Sequence, residues 1–360
     1  MADAHTYEDS SKLLLEDIAQ ALGLSKSTVS RAISGKGRIS EATRSRVAAY
    51  IAENDRRPNV ISRSMNRIRT RNFAVVLPDD VDIAQKPFFM ILMAGILEVA
   101  HVHNYDVILT NNRETDFTEI KRLINQGKVD GVVVTRVEND DPMVDWLKQT
   151  GIPYVVNGTI VDEEVPQIDA DHSRACQGLT RYLLERMSVA SAASAESATS
   201  AESVCLMIGD LKHTVDSLRY EGFSRALAEF YEGEIPEQAF CLYDRMDSKL
   251  KIRKAFEECL QRGVRVFLCG DDLICSRLLS LVHEAGIQIP GDLLVASFYD
   301  SAELENHDPP ITAISINGHL LGQHICRILL DAIDRGRSGV AQKTVFRHSL
   351  VFRPSTEKTE

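Results

Sequence analysis

A short segment near the start of the chain carries hydroxyls and cations without a single acid. It has the sequence LSKSTVSRAISG from Leu24 to Gly35, with two cations, Lys26 and Arg31, among serines and a threonine. Long cationic donors can reach base edges in a DNA groove, and hydroxyls can donate to phosphate oxygens. The chemistry that these residue types support is contact with nucleic acid.

The charge of the whole chain is divided in a way that agrees with this. The chain carries a formal net charge of −11 at pH 7. Between residues 24 and 71, twelve Lys and Arg stand against three acids, a net charge of +9, so the remainder carries −20. This pattern is typical of a nucleic-acid-binding head on an acidic carrier. On charge alone, a solvated basic face is the alternative.

Hydrophobic periodicity places the segment in a helix-turn-helix. Apolar residues recur at i, i+3, i+4 and i+7 from Leu15 to Leu22, which predicts an amphipathic helix ended by Gly23. Ser25 is expected to cap a second short helix, and Ser40 a third helix over EATRSRVAAYIAEN. The exposed side of the second helix would then enter a major groove.

The segment LEDIAQALGLSKSTVSRAISGKGRISEATRSRVAAYIAENDRRPN resembles the headpiece of the lactose repressor/galactose repressor (LacI/GalR) family of bacterial transcription regulators. The shared pattern is D-[IV]-A-x-x-x-G-[VL]-S-x-x-T-V-S-R, followed by S-x-x-T-R and by R-P-N. The resemblance implies that Lys26, Ser27 and Arg31 contact bases. The full set of DNA contacts that it implies for the headpiece is Ser25, Lys26, Ser27, Thr28, Ser30, Arg31, Ser34, Ser40 and Thr43.

The next stretch, RRPNVISRSMNRIRTR, holds no acid over sixteen residues, and its composition alone predicts a basic linker. The resemblance implies more, namely a hinge helix that becomes ordered on operator DNA. Met65 would be the apolar wedge that opens a base step from the minor groove. Asn59, Ser62 and Asn66 would lie along the backbone and the groove.

From Asn72 onward, short apolar runs alternate with helical patterns in two series of similar length. Strands buried on both faces with helices between them predict an α/β fold of doubly wound parallel sheets. The resemblance implies a two-lobed, periplasmic-binding-protein-like core behind the headpiece and hinge helix. The expected domains are residues 1–57 for the helix-turn-helix headpiece, 58–71 for the hinge and 72–360 for the effector-binding and dimerisation core, with an N-lobe of about 72–162 plus 301–316 and a C-lobe of about 163–300 plus 317–360.

The carboxyl ends of parallel strands are where such sheets bind ligands. KPFF and SLRYEGF match family patterns for two aromatic residues and an effector-binding guanidinium. Core packing of the aromatics and a surface salt bridge of the arginine are the alternatives. Tyr299 stands where many members have an Asp, which weakens but does not remove the preference for a sugar or sugar phosphate. The expected effector-binding residues are Phe88, Phe89, Asp171, Arg219, Asp271, Tyr299 and Asp300.

Signatures of other functions are missing from the sequence. It holds no G-x-G-x-x-G after a strand, no G-x-S-x-G elbow, no Walker A loop and no H-E-x-x-H. The seven cysteines lack metal spacing and are expected to be reduced, buried thiols. We therefore expect no enzyme activity, no cofactor and no metal. Without a run of 18 apolar residues or a cationic leader, we expect a cytoplasmic protein with no membrane contact.

Together these features predict a ligand-responsive transcriptional regulator, most simply a repressor. Its partners would be a near-palindromic operator, a small-molecule effector that is a sugar or a sugar derivative, and a second copy of the chain in a homodimer. A cytoplasmic sugar-binding protein or sugar-processing α/β enzyme without DNA binding is the alternative. The Ala/Ser-rich tract 188–203 is expected to be a flexible loop or a frayed helix extension.

Overall fold

The computed structural model describes most of the chain. The described residues are 15–34, 39–54, 69–78, 87–112, 117–193, 204–237, 239–335 and 343–357.

Three short helices form the headpiece: α1 (Leu15–Leu22), α2 (Lys26–Ser34) and α3 (Glu41–Asn54). Gly23 ends α1 with a left-handed φ of 65°, and the Ser25 hydroxyl caps α2 by accepting from the backbone N–H three residues on, at 3.1 Å. Ile18, Val29 and Val47 are fully or almost fully buried, one from each helix. The predicted helix-turn-helix is confirmed.

A first series of strands and helices follows the linker. It comprises β1 (Asn72–Pro78), α4 (Pro87–Val102), β2 (Asp106–Asn112), α5 (Thr118–Asn125), β3 (Gly131–Val134), α6 (Pro142–Thr150), β4 (Tyr154–Asn157) and β5 (Gln167–Ala170). The boundaries of α6 show how local sequence fixes them. The Asp141 carboxylate accepts from two backbone N–H groups of the first turn, Pro142 occupies the first helical position, and Gly151 ends the helix at φ 70°.

A second series repeats the pattern. It comprises α7 (His172–Ala193), β6 (Val204–Met207), α8 (Thr214–Phe230), β7 (Phe240–Tyr243), α9 (Lys249–Gln261), β8 (Val266–Cys269), α10 (Asp272–Glu284), β9 (Leu294–Ser297) and α11 (Ala302–Glu305). Helix α7 extends six residues into the Ala/Ser-rich tract, and residues 194–203 of that tract lie outside the described part.

The last part of the chain contributes to both halves of the core. It comprises β10 (Thr312–Ser315), α12 (Gly318–Arg335), β11 (Lys343–Phe346), β12 (Ser349–Val351) and a 3₁₀ turn (Pro354–Thr356). The first sheet has the order β11-β5-β4-β3-β1-β2, and the second has the order β12-β10-β9-β8-β6-β7. Their strands pair in parallel, except that β12 runs antiparallel to β10. The expected α/β architecture with two lobes is confirmed.

The division of the chain between the lobes differs from the expected boundaries. Strand β10 pairs in the second sheet, although residues 301–316 were assigned to the N-lobe. Helix α12 packs against β3 and β4, and β11 pairs with β5, although residues 317–360 were assigned to the C-lobe. Strand β5 also pairs in the first sheet, although residues 167–170 lie beyond 163, where the C-lobe is expected to begin. Sheet membership depends on long-range pairing, which a local apolar run does not encode.

Two helix pairs approach each other unusually closely. Helix α4 packs on α12, and a Cβ on Gly322 would overlap the backbone carbonyl of Leu92. Helix α7 packs on α8, and a Cβ on Gly222 would overlap the backbone carbonyl of Ser173. Glycine is required at such contacts because no side chain fits between the two backbones. Each pair is therefore packed backbone against backbone within its lobe.

Candidate functional site

The exposed side of α2 is a row of hydrogen-bonding groups. The Ser25 hydroxyl lies 2.9 Å from the Ser27 hydroxyl and 2.8 Å from that of Thr28. Lys26 and Arg31 are exposed on the same helix, and Lys26 forms an ion pair with Glu16 of α1. Because Val29 and Ala32 are buried beneath, these polar groups point outward on a helix that the headpiece core holds in place.

The remaining expected DNA contacts of the headpiece lie around this helix. Ser40 caps α3, and its hydroxyl lies 2.7 Å from that of Thr43. Ser30 is half-buried on α2, and Ser34 is the last residue of α2. The four hinge residues that the sequence singles out, Asn59, Ser62, Met65 and Asn66, lie outside the described residues.

A cavity of about 100 Å³ lies between the two sheets of the core. Five helices begin beside it, since the first turns or preceding residues of α4, α7, α8, α10 and α12 all contribute to its walls. The lining residues are Phe88, Phe89, Thr135, Arg136, Val137, Asn157, Gly158, Asp169, Ala170, His172, Thr214, Val215, Asp216, Arg219, Asp271, Asp272, Tyr299, Ile316 and Leu321. The segments in which the chain passes from one lobe to the other lie next to this cavity. A molecule bound here would therefore contact both lobes.

Arg219 is the most deeply buried cation of the cavity, with 7% of its surface exposed. Its Nη1 lies 3.6 Å from Asp216 Oδ1, one helical turn earlier on α8. Its Nε is buried and has no hydrogen-bond partner among the described residues. A buried donor without a partner is costly, so this N–H is available to a bound acceptor.

An aromatic wall covers one side of the cavity. The rings of Phe88 and Tyr299 meet edge to face with centroids 5.3 Å apart, and those of Phe88 and Phe89 lie 5.4 Å apart. Burial raises the pKa of the Tyr299 hydroxyl above its ordinary value, so this group is a neutral hydroxyl that can donate or accept a hydrogen bond. Flat apolar faces beside hydrogen-bonding groups suit a ring that carries hydroxyls on its edges.

Another part of the lining is polar. His172 Nε2 lies 3.0 Å from Asp169 Oδ1, and Asp169 Oδ2 accepts from the Thr159 hydroxyl at 3.0 Å. Asn157 donates its amide N–H to the Thr135 carbonyl at 3.0 Å, while its Oδ1 is buried without a hydrogen-bond partner among the described residues. The cavity thus offers a spare acceptor here and a spare donor at Arg219.

The two lobes touch each other at one edge of the cavity. The Thr214 hydroxyl donates to the Val137 carbonyl at 2.9 Å, and Asn139 N donates to the Lys212 carbonyl at 3.0 Å. An ion pair joins Lys212 Nζ to Glu138 at 3.3 Å. These contacts link the segment after β3 to the segment before α8, so a change in lobe closure alters them directly.

Five of the seven expected effector residues line the cavity: Phe88, Phe89, Arg219, Asp271 and Tyr299. Among these, Asp271 also caps α10 by accepting from Ile274 N at 2.8 Å. The structure does not bring the other two there. Asp171 caps α7 by accepting from Arg174 N at 3.0 Å and lines an adjoining cleft. Asp300 is held by both terminal nitrogens of Arg353, at 2.7 and 3.0 Å.

Sequence reasoning missed several cavity residues, notably Asn157, His172 and Asp272. Asn157 ends β4 and Asp272 begins α10 directly after β8, so both occupy the carboxyl end of a strand. That position is the signal that could have found them. His172 carries the same signal, because it begins α7 two residues after the end of β5, but its hydrogen bond to Asp169 is seen only in the folded chain.

Other chemistry is not supported by the described residues. They contain no group of three or more His, Cys, Asp or Glu side chains that could hold a metal ion. All seven cysteines are buried free thiols. Within the described ranges, no helix is both long enough and apolar enough to cross a membrane.

Comparison with known proteins decides the family. The family model described as bacterial regulatory proteins, lacI family, matches residues 14–59, which include the whole helix-turn-helix. The periplasmic binding protein-like domain matches residues 204–356. The chain belongs to the LacI family. The headpiece and core predicted by the sequence resemblance are thereby confirmed.

LacI-family relatives cover almost the whole chain. The HTH-type transcriptional regulator MalR of Staphylococcus xylosus is 28% identical over 316 residues, covering 86% of this chain and 88% of the relative. The regulator CelR of Thermobifida fusca is 25% identical, covering 95% and 97%. A solved CelR–cellobiose complex is 25% identical with a TM-score of 0.67, covering 96% of this chain and 100% of that one. A lac repressor dimer bound to operator, 20% identical with a TM-score of 0.63, covers 96% and 99% and shows the shared fold.

Proposed function

We propose that this LacI-family protein is a repressor whose affinity for a near-palindromic operator is set by a neutral sugar bound between its lobes. The observation that carries the proposal is the pairing of two sites in one chain. An exposed row of cations and hydroxyls lies on α2, and a polar and aromatic cavity lies between the lobes. Its site of action would be the cytoplasm, where it meets chromosomal DNA, and we propose no catalytic activity.

The charges of the cavity favour a neutral ligand over a phosphorylated one. Its walls carry four carboxylates, at Asp169, Asp216, Asp271 and Asp272, against the two guanidiniums of Arg136 and Arg219. A phosphate or carboxylate group would meet this excess of negative charge, whereas sugar hydroxyls can donate to carboxylates and accept from Arg219. The relative solved with cellobiose, a neutral disaccharide, supports this choice.

The direct test is a thermal-shift screen of the full-length chain. Glucose, maltose and cellobiose would be compared with glucose 6-phosphate at equal concentrations. A ligand at 100 times its dissociation constant stabilises the folded protein by about 2.7 kcal/mol, which raises Tm by several degrees. We expect at least one neutral sugar to raise Tm and the phosphate to raise it less. Stabilisation by the phosphate alone would contradict the proposed effector class.

Replacing Arg219 with alanine is expected to remove the effector response while leaving operator affinity unchanged. The substitution deletes the buried donor whose Nε has no partner, and it leaves the headpiece intact. The measurement is operator binding with and without the sugar that raises Tm in the thermal-shift screen. Arg225→Ala is the matched control, because Arg225 lies on the same helix but is exposed and pairs with Glu221. A response retained by the Arg219 variant would place the effector elsewhere.

An exposed apolar stripe on the N-lobe supports a homodimer. Met90, Ala94 and Leu97 follow each other at i, i+4 and i+7 on α4, and the side chains of Met90 and Leu97 are 56% and 50% exposed. Leu109, 56% exposed, lies on the adjoining edge strand β2. In a two-fold dimer the same stripe on both copies can cover itself, and this symmetry matches that of a palindromic operator.

Introducing a charge into this stripe is expected to separate the dimer. Leu97→Glu would place two carboxylates in one two-fold interface, and we expect the dimer dissociation constant to rise by at least about tenfold. Analytical ultracentrifugation would measure it. Val161→Glu is the control, because Val161 is 94% exposed in a loop outside the stripe. If both variants dissociate equally, or if neither does, the dimer interface does not lie on α4.

A further inference from the structure

The junction between the linker and the core is held by one carboxylate. Asp130 Oδ1 accepts from Thr70 N and from the Thr70 hydroxyl, both at 3.0 Å, and Asp130 Oδ2 accepts from Arg71 N at 2.9 Å. The Arg71 guanidinium lies over the Tyr105 ring, 5.4 Å from its centroid. Three hydrogen bonds and a cation–π contact fix residues 70 and 71 to the N-lobe. Arg69 directly precedes this anchored pair of residues.

Arg69 itself is held in a different and weaker way. Its Nη1 forms an ion pair with Asp334, and its Nη2 lies 3.4 Å from the Ile333 carbonyl. The side chains of Arg69 and Asp334 are 39% and 61% exposed. An ion pair with this much solvent contact contributes little to stability and exchanges partners easily. The Asp130 carboxylate, with three donors already, does not hold this guanidinium.

The partner of Arg69 lies at the far end of a helix that starts at the effector cavity. Ile316 precedes α12 and Leu321 lies in its first turns, and both line the cavity. Asp334 is next to the last residue of the same helix. An 18-residue helix is about 27 Å long. Helix α12 thus extends from the proposed effector site to the base of the DNA-binding linker.

We propose that Arg69 is a switchable DNA-phosphate contact, paired with Asp334 in the free protein and transferred to an operator phosphate in the complex. This inference rests on the proposed DNA-binding function. Arg69 belongs to the stretch 56–71, which connects the headpiece to the core and holds no acid. Asn66, for which the family resemblance implies a groove contact, is three residues earlier, a span of at most about 11 Å, which would bring the Arg69 guanidinium within reach of a flanking phosphate. A guanidinium suits both partners, since it binds carboxylate and phosphate with the same planar fork.

The experiment measures the salt dependence of operator binding by the full-length chain. The probe is a duplex site selected by the wild-type protein from a random-sequence pool. Each phosphate contact contributes about −0.9 to the slope of log K against log salt. Arg69→Gln is expected to flatten the slope by about 1.8 per dimer, because one contact per protomer is lost. Arg69→Lys, which keeps the positive charge, is expected to retain the slope.

The second arm tests the competition with Asp334. Asp334→Asn is expected to tighten operator binding about three- to tenfold with the slope unchanged, because no ion pair has to break. Asp331→Asn, an equal charge change three residues earlier on the exposed side of α12, should have a smaller effect. In the Arg69→Gln background, Asp334→Asn should tighten operator binding no more than Asp331→Asn does.

The outcomes separate this inference from the function on which it rests. An Arg69→Gln variant that folds with an unchanged Tm and keeps the wild-type slope would overturn it. Equal effects of Asp334→Asn and Asp331→Asn would overturn the proposed competition. Failure of the wild-type chain to select any DNA would instead overturn the proposed function.

Discussion

The variant Arg31→Ala is expected to lose discrimination between operator and unrelated DNA while keeping its fold. Arg31 is exposed on α2, whereas Val29 and Ala32 of the same helix are buried in the headpiece core. A bidentate arginine contact to a guanine edge contributes about 1–3 kcal/mol of discrimination. A dimer presents two copies of α2, so the ratio of specific to non-specific affinity should fall by at least about 30-fold.

The measurement is competition binding at fixed salt, with the selected operator and a scrambled duplex of equal length. Arg46→Ala is the matched control, because it removes the same charge from the same headpiece but from α3. Arg31→Lys adds a second comparison, since lysine keeps the charge and lacks the planar fork. We expect it to retain non-specific affinity and to lose much of the discrimination. If Arg31→Ala discriminates as well as Arg46→Ala does, the assignment of α2 as the recognition helix fails.

The headpiece could be predicted in detail because its signals are local. Ser25 caps α2, Gly23 ends α1 in the left-handed region, and the apolar positions fall three and four residues apart. Each of these features depends on a few consecutive residues. The strands of the core were predictable for the same reason, as short apolar runs between helical patterns.

The assembly of the core could not be predicted to the same depth. Strands β10 and β11 are both four residues long, yet they belong to different sheets. What separates them is the identity of their neighbours, β9 and β12 for one and β5 for the other. These pairings join residues far apart in the chain, which no local pattern specifies.

The same distinction between local and long-range signals applies to the residues of the candidate effector site. Arg219 and the pair Phe88 and Phe89 were identified from motifs, and the structure places them on one cavity. Asp300 was expected from the family pattern, as the carboxylate one position after the Asp that Tyr299 replaces, but Arg353, 53 residues away, holds it in a bidentate pair. A motif therefore indicates which residue type stands at a strand end, and only the tertiary contacts show whether its side chain is available.

The second large effect is expected at the backbone contact between α4 and α12. A Cβ on Gly322 would overlap the Leu92 carbonyl, and a Cβ on Gly95 would overlap the His319 carbonyl. Backbone atoms cannot rotate away as a side chain can, so the two helices must move apart. Overpacking of this kind typically costs about 1–3 kcal/mol, and Gly322→Ala should lie at the upper end.

The control is a glycine in a helix interior without such a neighbour. A Cβ on Gly178 of α7 would meet one side-chain atom, Leu350 Cδ1, at 3.4 Å. Alanine favours a helix over glycine by up to about 1 kcal/mol, so Gly178→Ala should be neutral or stabilising. Thermal and urea unfolding of both variants would show a Tm lower by several degrees for Gly322→Ala alone.

The same variant tests whether α4 and α12 move as one unit. Phe88 lies at the start of α4, Leu321 lies near the start of α12, and both line the cavity, while Asp334 at the end of α12 holds Arg69. Forcing the helices apart should therefore weaken effector binding and alter operator affinity together, in a protein that still folds below its lowered Tm. If Gly322→Ala leaves the stability unchanged, a Cβ fits between the two helices, and the close backbone contact at Gly322 is wrong. A destabilised variant with normal effector and operator binding would show that the pair supports the fold without linking the two sites.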